Sequence, residues 1–433
     1  MKNKNSPQLS RRRFLSATGT LAAAIGTLGL TGFAAAAELT KAQSAKAASG
    51  KLPVEPFFGA HQSGILTAPQ QTSSYFAAFD LDTTKRADVI ELLKRWTDAA
   101  NRMTRGETAV PLGNDPDVPP ADSGDALGLA PARLTITFGF GPGLFMRDGV
   151  DRYGLASRRP EALVDLPKFN GDQLVPEKSG GDLSIQACAD DPQVAFHAVR
   201  QLASLAAGIA TIKWAQTGFA SGAPGGGTPR NLMGFKDGTN NPPHTPDVMD
   251  KVVWVGDEGG WMKNGSYLVV RRIRISLEHW DKTDLDFQQQ VVGRYKHNGA
   301  PLGKAHEFDP LDLAATDKDG NPVIPATAHS RVASAAHNDG AQILRRAYSY
   351  NDGANFYAER WPPWRQGVMY DAGLFFMAYQ RDPRTGFIKI NKTLATEDIM
   401  NQYTTHVGSA VFACPAGARE GSFIGAALFD GLG

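Results

Sequence analysis

The pattern of apolar and polar positions predicts the same order of elements in each half of the chain. Apolar residues at helical spacing indicate helices, and short apolar or alternating runs bounded by Gly, Pro and Asp indicate strands. In the first half the predicted elements are strand Ser74–Leu81, helix Arg86–Arg105, strand Arg133–Phe140, strand Asp182–Ala189, helix Gln193–Ala206 and strand Ile212–Phe219.

The second half repeats this order. Its predicted elements are strand Ser266–Ile275, helix Leu285–Val292, strand Ile343–Tyr350, strand Gly373–Arg381, helix Thr396–Thr405 and strand Ala410–Cys414. A β-α-β, β-α-β order is typical of a ferredoxin-like α+β unit, in which helices cover an antiparallel sheet. The sequence therefore predicts two ferredoxin-like domains, over residues 55–222 and 229–433, with a Gly-rich seam at Ala220–Thr228.

The first 48 residues are predicted to be an export signal and a flexible lead-in. Residues Ser10 to Leu15 read SRRRFL, which matches the twin-arginine pattern, and a moderately apolar stretch, Thr18–Ala37, follows. Small-residue cleavage sites end this stretch, so we expect a removable signal and a periplasmic, extracellular or cell-surface location. A retained membrane anchor is the alternative, although about 20 residues are barely enough to span a bilayer.

Charge and cysteine content exclude several classes of protein. The net charge is +1, but Lys2, Lys4, Arg11, Arg12 and Arg13 all lie in the predicted signal, so the remaining chain is mildly acidic. It has no basic footprint for nucleic acid. Cys188 and Cys414 lie in apolar runs, which favours buried strand cysteines over a disulfide. The chain has no CxxCH, which excludes covalent c-type haem attachment.

A glycine-flanked aspartate is the first candidate for chemistry. Gly234, Asp237 and Gly238 form a G-x-x-D-G motif within RNLMGFKDGTNNP. The glycines permit a tight loop that presents one carboxylate. An ordinary turn explains the same residues, so the motif alone does not decide between the two interpretations.

His329 is the second candidate. None of the nine histidines forms an H-x-x-x-H pair or a Cys/His group with zinc spacing. His329 stands in TAHSRVASAAHNDG, between two predicted loops, and the pair Arg345 and Arg346 lies in the strand that follows.

Together these residues resemble those of the Dyp-type haem peroxidases. The resemblance rests on GFKDGTNNP, on the histidine of HSRVA and on ILRRAYSY, and it covers nearly all of residues 55–433. Within that family the chain is most similar to the exported deferrochelatase/peroxidase branch, which SIQACADDPQVAFHAVRQL and the twin-arginine signal also match. The resemblance implies one non-covalent haem b per chain, held mainly by the second domain.

The resemblance also assigns roles to residues of this chain. It implies His329 as the proximal ligand of the haem iron, with Asp237 and Arg345 on the opposite, distal face. It further implies haem contacts by Gly238, Thr239, Asn240, Ser334, Ala335 and Ala336. Because a metal-bound histidine usually donates its other ring N–H to a carboxylate, Asp398 is the first candidate partner of His329 and Glu397 the second.

One segment departs from the family pattern. Relatives often read HIRLANPR after the proximal histidine, with a basic residue near the haem propionates, whereas this chain reads HSRVASAAH. His337 or Arg331 is expected to substitute for that basic residue.

The implied activity is a haem-dependent peroxidase that reduces hydrogen peroxide via a ferryl intermediate and oxidises dyes, phenols or porphyrins. Asp237 would move a proton between the peroxide oxygens, and Arg345 would place a permanent positive charge beside the departing oxygen. Arg346, adjacent on the strand, should point to the opposite face of the sheet.

A different class of function stays open. The branch is linked to ferrous-iron import and to release of iron from intact porphyrin, so the protein could be an iron-acquisition protein with incidental peroxidase activity. Iron-import components are then expected partners, beside hydrogen peroxide and an organic reductant or porphyrin. A homo-oligomer is expected, in the form of a dimer.

Overall fold

The computed structural model describes residues 53–221, 227–358 and 366–432. The predicted signal and most of the predicted seam lie outside these residues. Within them no helix is both long and apolar enough to cross a lipid bilayer.

The described residues contain nine strands. They are β1 (Ser73–Leu81), β2 (Thr135–Phe140), β3 (Leu183–Ala189), β4 (Ala210–Phe219), β5 (Ser266–Ile275), β6 (Leu344–Arg345), β7 (Tyr348–Ala358), β8 (Gln366–Gln380) and β9 (Thr404–Cys414). The α-helices are α1 (Arg86–Met103), α2 (Pro142–Phe145), α3 (Pro192–Leu205), α4 (Pro246–Val252), α5 (Leu277–Trp280), α6 (Leu285–Val292), α7 (His329–Val332), α8 (Phe387–Glu397) and α9 (Ala426–Phe429). Short 3-10 helices cover Ala156–Arg158, Pro176–Lys178, Asp257–Met262 and Ile399–Gln402.

The sheet topology is that of two ferredoxin-like halves. The first half pairs in the order β2-β3-β1-β4 and the second in the order β9-β5-β8-β7, with every pairing antiparallel. Single residue pairs, Phe140 with Ala413 and Phe219 with Ser349, join the two halves at their edges. The predicted α+β fold class is therefore confirmed, whereas the boundary between two domains stays a prediction because Pro53–Gly433 forms one compact unit.

An aromatic core lies between the two sheets. Phe76 of β1 contacts Trp214 of β4, Phe375 of β8 and Phe412 of β9, with ring centroids between 5.1 and 5.9 Å apart. Since strand side chains alternate between faces, even-numbered residues of β5 such as Leu268 enter this core, and its odd-numbered residues face away. That alternation is what gives the second sheet a free face for a binding cavity.

Helices α1 and α3 cover the outer face of the first sheet. The residues of α1 predicted to share one face, Val89, Leu92, Leu93 and Trp96, are all buried. The indole of Trp96 packs on Phe79 and Phe138 and donates to the carbonyl of Leu202 in α3. The first sheet and these two helices therefore form a two-layer α+β unit.

Two predicted elements need correction. The helix predicted over Thr396–Thr405 is wrong: α8 ends at Glu397, and β9 already begins at Thr404. The apolar residues of FIKINKTLATE have helical spacing and pack inward, whereas Thr404 onward pairs with β5. The strand predicted at Ile343–Tyr350 is interrupted after Arg345, although β6 and β7 pair with β8 in one register.

Both cysteines are free and buried. Cys188 lies in β3 and Cys414 in β9, within the core between the sheets. The prediction of buried strand cysteines is confirmed, and no disulfide joins them.

Candidate active site

A cavity of 580 Å³ lies against the free face of the second sheet. Its lining includes three of the predicted residues that carry chemistry, Asp237, His329 and Arg345. The loop at 169–172 from the first half and helix α8 complete the walls. The structure therefore brings together Asp237, His329 and Arg345, of which the first and last are 108 positions apart along the chain.

Two glycines shape the loop that carries Asp237. Gly234 has φ +84° and Gly238 has φ +117°, values in the region that favours glycine. The amide of Asp237 donates to the carbonyl of Pro229, which ties the loop at its base. The G-x-x-D-G motif thus forms a tight loop that directs a carboxylate to the cavity, which favours the first of the two sequence interpretations.

Asp237 and Arg345, called the distal pair below, form an ion pair. Arg345 Nη1 donates to Asp237 Oδ1 over 3.0 Å, and the side chains of Arg345 and Asp237 are 26% and 18% exposed. Asn241 holds the two elements in place: its side-chain amide donates to the carbonyl of Arg345 (2.8 Å) and accepts from the Arg345 amide (3.1 Å). Sequence reasoning missed Asn241, although it lies in the same DGTNN run.

Arg346 points away from the cavity. It is 5% exposed, donates to the carbonyl of Thr67 (2.7 Å) and contacts Gln71. The contacts confirm the expected opposition of Arg345 and Arg346 along the strand. Arg346 thus belongs to the core.

His329 begins the short helix α7 on the other side of the cavity. Its Nδ1 lies 2.6 Å from Asp398 Oδ2, and Asp398 is itself fixed because its Oδ1 accepts from the Met400 amide (2.8 Å). Glu397, the second candidate, instead contacts His337. The first candidate partner of His329 is therefore the one in contact.

The electrostatics of His329 follow from this contact. Burial acts to lower the pKa of His329, but the charge of Asp398 and its hydrogen bond outweigh burial and raise the pKa above its ordinary value. The raised pKa favours a protonated ring, and the hydrogen bond to Asp398 fixes one proton on Nδ1. Nε2 is then the nitrogen that would bind a metal after it loses its proton.

The other predicted haem contacts divide into two groups. Gly238, Thr239, Asn240 and Ala335 line the cavity, whereas Ser334 and Ala336 do not, and the Ser334 hydroxyl donates to the carbonyl of Arg331. Neither His337 nor Arg331 lines the cavity: Arg331 donates to the backbone carbonyls of Leu313 and Ile324. Their assignment to haem propionates gains no support from these positions.

Arg294 is a cavity-lining cation that sequence reasoning missed. It is 9% exposed, and its Nη1 donates to the backbone carbonyls of Gly299 (2.8 Å) and Glu307 (2.9 Å). Arg294 lies between predicted elements and belongs to no recognisable motif, so the sequence did not identify it. Its remaining N–H groups are suited to bind a carboxylate.

Glu307 holds the Asp237 loop in place through contacts with two of its side chains. Its carboxylate contacts Lys236 and accepts from Thr239 Oγ1 (2.9 Å), the residues on either side of Asp237 and Gly238. Burial acts to raise the pKa of Glu307, but hydrogen bonds from Lys236, Thr228 and Thr239 outweigh it and hold the pKa below its usual range. Glu307 thus stays ionised and holds the loop.

Two family models match the chain. They are described as Dyp-type peroxidase, N-terminal, over residues 62–220, and Dyp-type peroxidase, C-terminal, over residues 228–419. The two matches follow the two halves of the fold.

Individual relatives extend over nearly the whole chain. The chain is 38% identical to a dye-decolorizing peroxidase of Thermobifida fusca over 448 residues, covering 98% of this chain and 97% of the relative. It is 36% identical to a deferrochelatase of Escherichia coli K12 over 434 residues, covering 97% of this chain and 96% of the relative.

Solved structures show the same similarity in three dimensions. A DyP-type peroxidase from Streptomyces coelicolor is 39% identical with a TM-score of 0.78, covering 88% of this chain and 98% of that chain. A DyP-type peroxidase from Cellulomonas bogoriensis is 38% identical with a TM-score of 0.77, covering 88% and 99%. With both family models matched and a relative 38% identical over 98% of this chain, the chain belongs to the Dyp-type peroxidase family.

Proposed function

We propose that the cavity holds haem b non-covalently and that the protein is a peroxidase, with hydrogen peroxide as oxidant and an organic compound as reductant. The observation that carries this proposal is the placement of the His329–Asp398 pair and the distal pair on one cavity. A neutral imidazole backed by a carboxylate is suited to bind haem iron. An acid and a guanidinium are suited to peroxide chemistry.

The residues of the cavity fit haem in three respects. His329 Nε2 is the ligand for the iron, because Nδ1 is engaged by Asp398. Apolar residues such as Ile273, Leu374 and Phe376 line the walls, which suits the faces of a porphyrin. Arg294 is the residue we assign to a propionate, since it is buried and, within the described residues, its side chain donates to the backbone carbonyls of Gly299 and Glu307 and to no carboxylate.

Haem, when bound, supplies the iron at which the O–O bond of hydrogen peroxide is cleaved and to which reductants give electrons. The Asp237 carboxylate takes the proton that one peroxide oxygen must lose and delivers it to the other oxygen. Arg345 cannot deprotonate, so its charge stabilises the departing oxygen throughout. Asn241 and Glu307 keep the two side chains in this arrangement.

Two measurements test the proposal. The absorption spectrum of the purified protein should show a Soret band of bound haem, and that band should shift on mixing with hydrogen peroxide. Oxidation of a dye or phenol should then depend on both peroxide and haem. A protein that takes up no haem when haem is added would contradict the proposal.

A second candidate function is release of iron from haem, because several relatives are named deferrochelatase. Iron release leaves free protoporphyrin, whereas peroxidase turnover does not. Product analysis after loading the protein with haem therefore separates the two functions. Components of an iron-import system are the partners we propose for this case.

Replacing Glu307 tests how the Asp237 loop is held. Glu307→Gln keeps the size of the side chain but removes the charge that binds Lys236 and Thr239, a contact of the charge-assisted kind. We expect normal haem content and a reaction with hydrogen peroxide that is slower by about 10-fold, since small displacements of positioned groups are costly. Stopped-flow mixing measures this rate. Glu420→Gln, at an exposed position, is the matched control and should react at the wild-type rate.

We also propose export by the twin-arginine pathway to the periplasm or beyond the cell. Arg11→Lys together with Arg12→Lys should leave the precursor in the cytoplasm, because the receptor of this pathway recognises the two guanidinium groups. Cell fractionation and detection of the unprocessed chain measure the outcome. Efficient export of the double variant would show that residues 1–48 are not a twin-arginine signal.

For the oligomeric state we propose a homodimer. Light scattering of the purified protein coupled to size-exclusion chromatography would measure the mass directly.

A further inference from the structure

A second polar network lies in the wall of the cavity. Arg271 of β5 is fully buried, and every part of its guanidinium is engaged: it contacts Asp172, donates to Ser409 Oγ (2.9 Å) and donates through Nε to His406 Nδ1 (2.9 Å). Asp172 and His406 both line the cavity. None of these residues is used by the peroxide chemistry described above.

This network lies at the opposite edge of the sheet from the distal pair. His406 is on β9 and pairs with Ile273 of β5, whereas Arg345 is on β6, which pairs with β8. Three strand spacings separate β9 from β6, which amounts to about 14 Å across the sheet. His406 therefore lines a part of the cavity that is distant from the distal pair.

The contact with Arg271 decides which ring nitrogen of His406 carries a proton. A guanidinium only donates, so Nδ1 must accept and the ring proton must be on Nε2. Burial, assisted by the nearby charge of Arg271, lowers the pKa of His406 well below its ordinary value. His406 is thus a neutral hydrogen-bond donor, held in one tautomer.

Three phenylalanines surround this part of the cavity. Phe169 meets Phe387 edge to face with ring centroids 5.9 Å apart, and Phe376 lies 5.8 Å from Phe387. All three line the cavity. Apolar walls with one well-placed polar group are typical of a site for a small aromatic molecule.

We propose that His406 Nε2 and the rings of Phe169, Phe376 and Phe387 bind a small neutral phenol as reductant at the edge of the haem. The proposal rests on the proposed function, since it requires haem in the same cavity. A haem propionate fits this edge less well, because Asp172 already neutralises the charge of Arg271. The neutral Nε2–H of His406 is instead suited to donate a hydrogen bond to the neutral oxygen of a phenol.

Two substitutions at His406 test the site. His406→Leu removes the donor, whereas His406→Gln keeps an acceptor for Arg271 and a donor for the cavity. Titration of the ferric holoprotein with guaiacol, by calorimetry and by the change in the Soret band, gives the dissociation constant. We expect His406→Leu to raise this constant and the KM for guaiacol by about 3- to 10-fold, the effect of one neutral hydrogen bond. His406→Gln should restore both.

Haem content, kcat and the rate of reaction with hydrogen peroxide should be unchanged in both variants. His244→Leu, at an exposed loop position, is the matched control and should behave as wild type. If His406→Leu instead speeds loss of haem to apomyoglobin while guaiacol binds normally, His406 contacts a propionate and the proposal is overturned. Unchanged guaiacol binding without haem loss overturns it as well. Failure of the wild-type protein to bind haem would be visible beforehand in its spectrum and concerns the proposed function.

Discussion

His329→Ala is expected to lose most of its haem. The substitution removes the one side chain we assign to the iron, and the remaining cavity holds the porphyrin only through apolar contacts and Arg294. Any haem that stays bound should have water in place of the imidazole and therefore an altered Soret band. The ratio of Soret to protein absorbance after loading and gel filtration measures the occupancy.

The control for this experiment is His337→Ala. His337 lies outside the cavity lining and contacts Glu397, so this variant should load haem as the wild type does. Asp398→Asn adds a second check, because it leaves His329 in place but weakens the hydrogen bond at Nδ1. We expect Asp398→Asn to retain haem with a changed spectrum. Normal occupancy and an unchanged spectrum in His329→Ala would show that another residue binds the iron.

Arg345→Leu is expected to slow the reaction with hydrogen peroxide by about 10² to 10³, while haem stays bound. Removal of one preorganised donor from a site of developing charge has costs of this size, about 2.7–4 kcal/mol. Asp237→Asn should also slow the reaction, but by less than the full factor of about 10² to 10⁴ that a positioned acid–base group contributes. Water is able to replace part of the proton transfer by Asp237, but it carries no charge to replace that of Arg345.

Arg346 supplies the matched control for Arg345. Its side chain is buried against Gln71 and the carbonyl of Thr67, so Arg346→Leu leaves buried acceptors unpaired. We expect a lower melting temperature and a normal rate with hydrogen peroxide. Stopped-flow mixing and thermal unfolding of both variants measure the two effects. If Arg346→Leu abolished the reaction and Arg345→Leu did not, the roles of the two arginines would be exchanged.

Predictions from the local pattern of apolar residues agree with the structure where a single helix or strand extends over the whole pattern. Apolar spacing predicts α1 and β5 accurately, because α1 buries one set of side chains along its whole length and β5 is buried on both faces along nearly its whole length. It fails at Thr396–Thr405, where a helix end, a 3-10 turn and a strand start follow within a few residues. Pairing with β5 decides that segment, and pairing is not visible in a local pattern.

The residues of the site divide in the same way. Asp237, His329 and Arg345 could be singled out from the sequence because they lie in motifs that resemble those of one family. Asp398 could be named only as a candidate beside Glu397, because the two carboxylates are adjacent in the sequence. The backbone conformation of the turn after α8 decides which of them reaches His329.

Arg294, Glu307 and His406 could not be found from the sequence. Each stands outside a motif, and each gains its role from a partner that the fold brings near: the carbonyl of Gly299 for Arg294, Lys236 for Glu307 and Arg271 for His406. The sequence by itself determined the family, the order of the elements and the residues that carry the main chemistry. Only the tertiary structure decided which charges are neutralised and which donors stay free, because burial and hydrogen bonding depend on segments far apart in the chain.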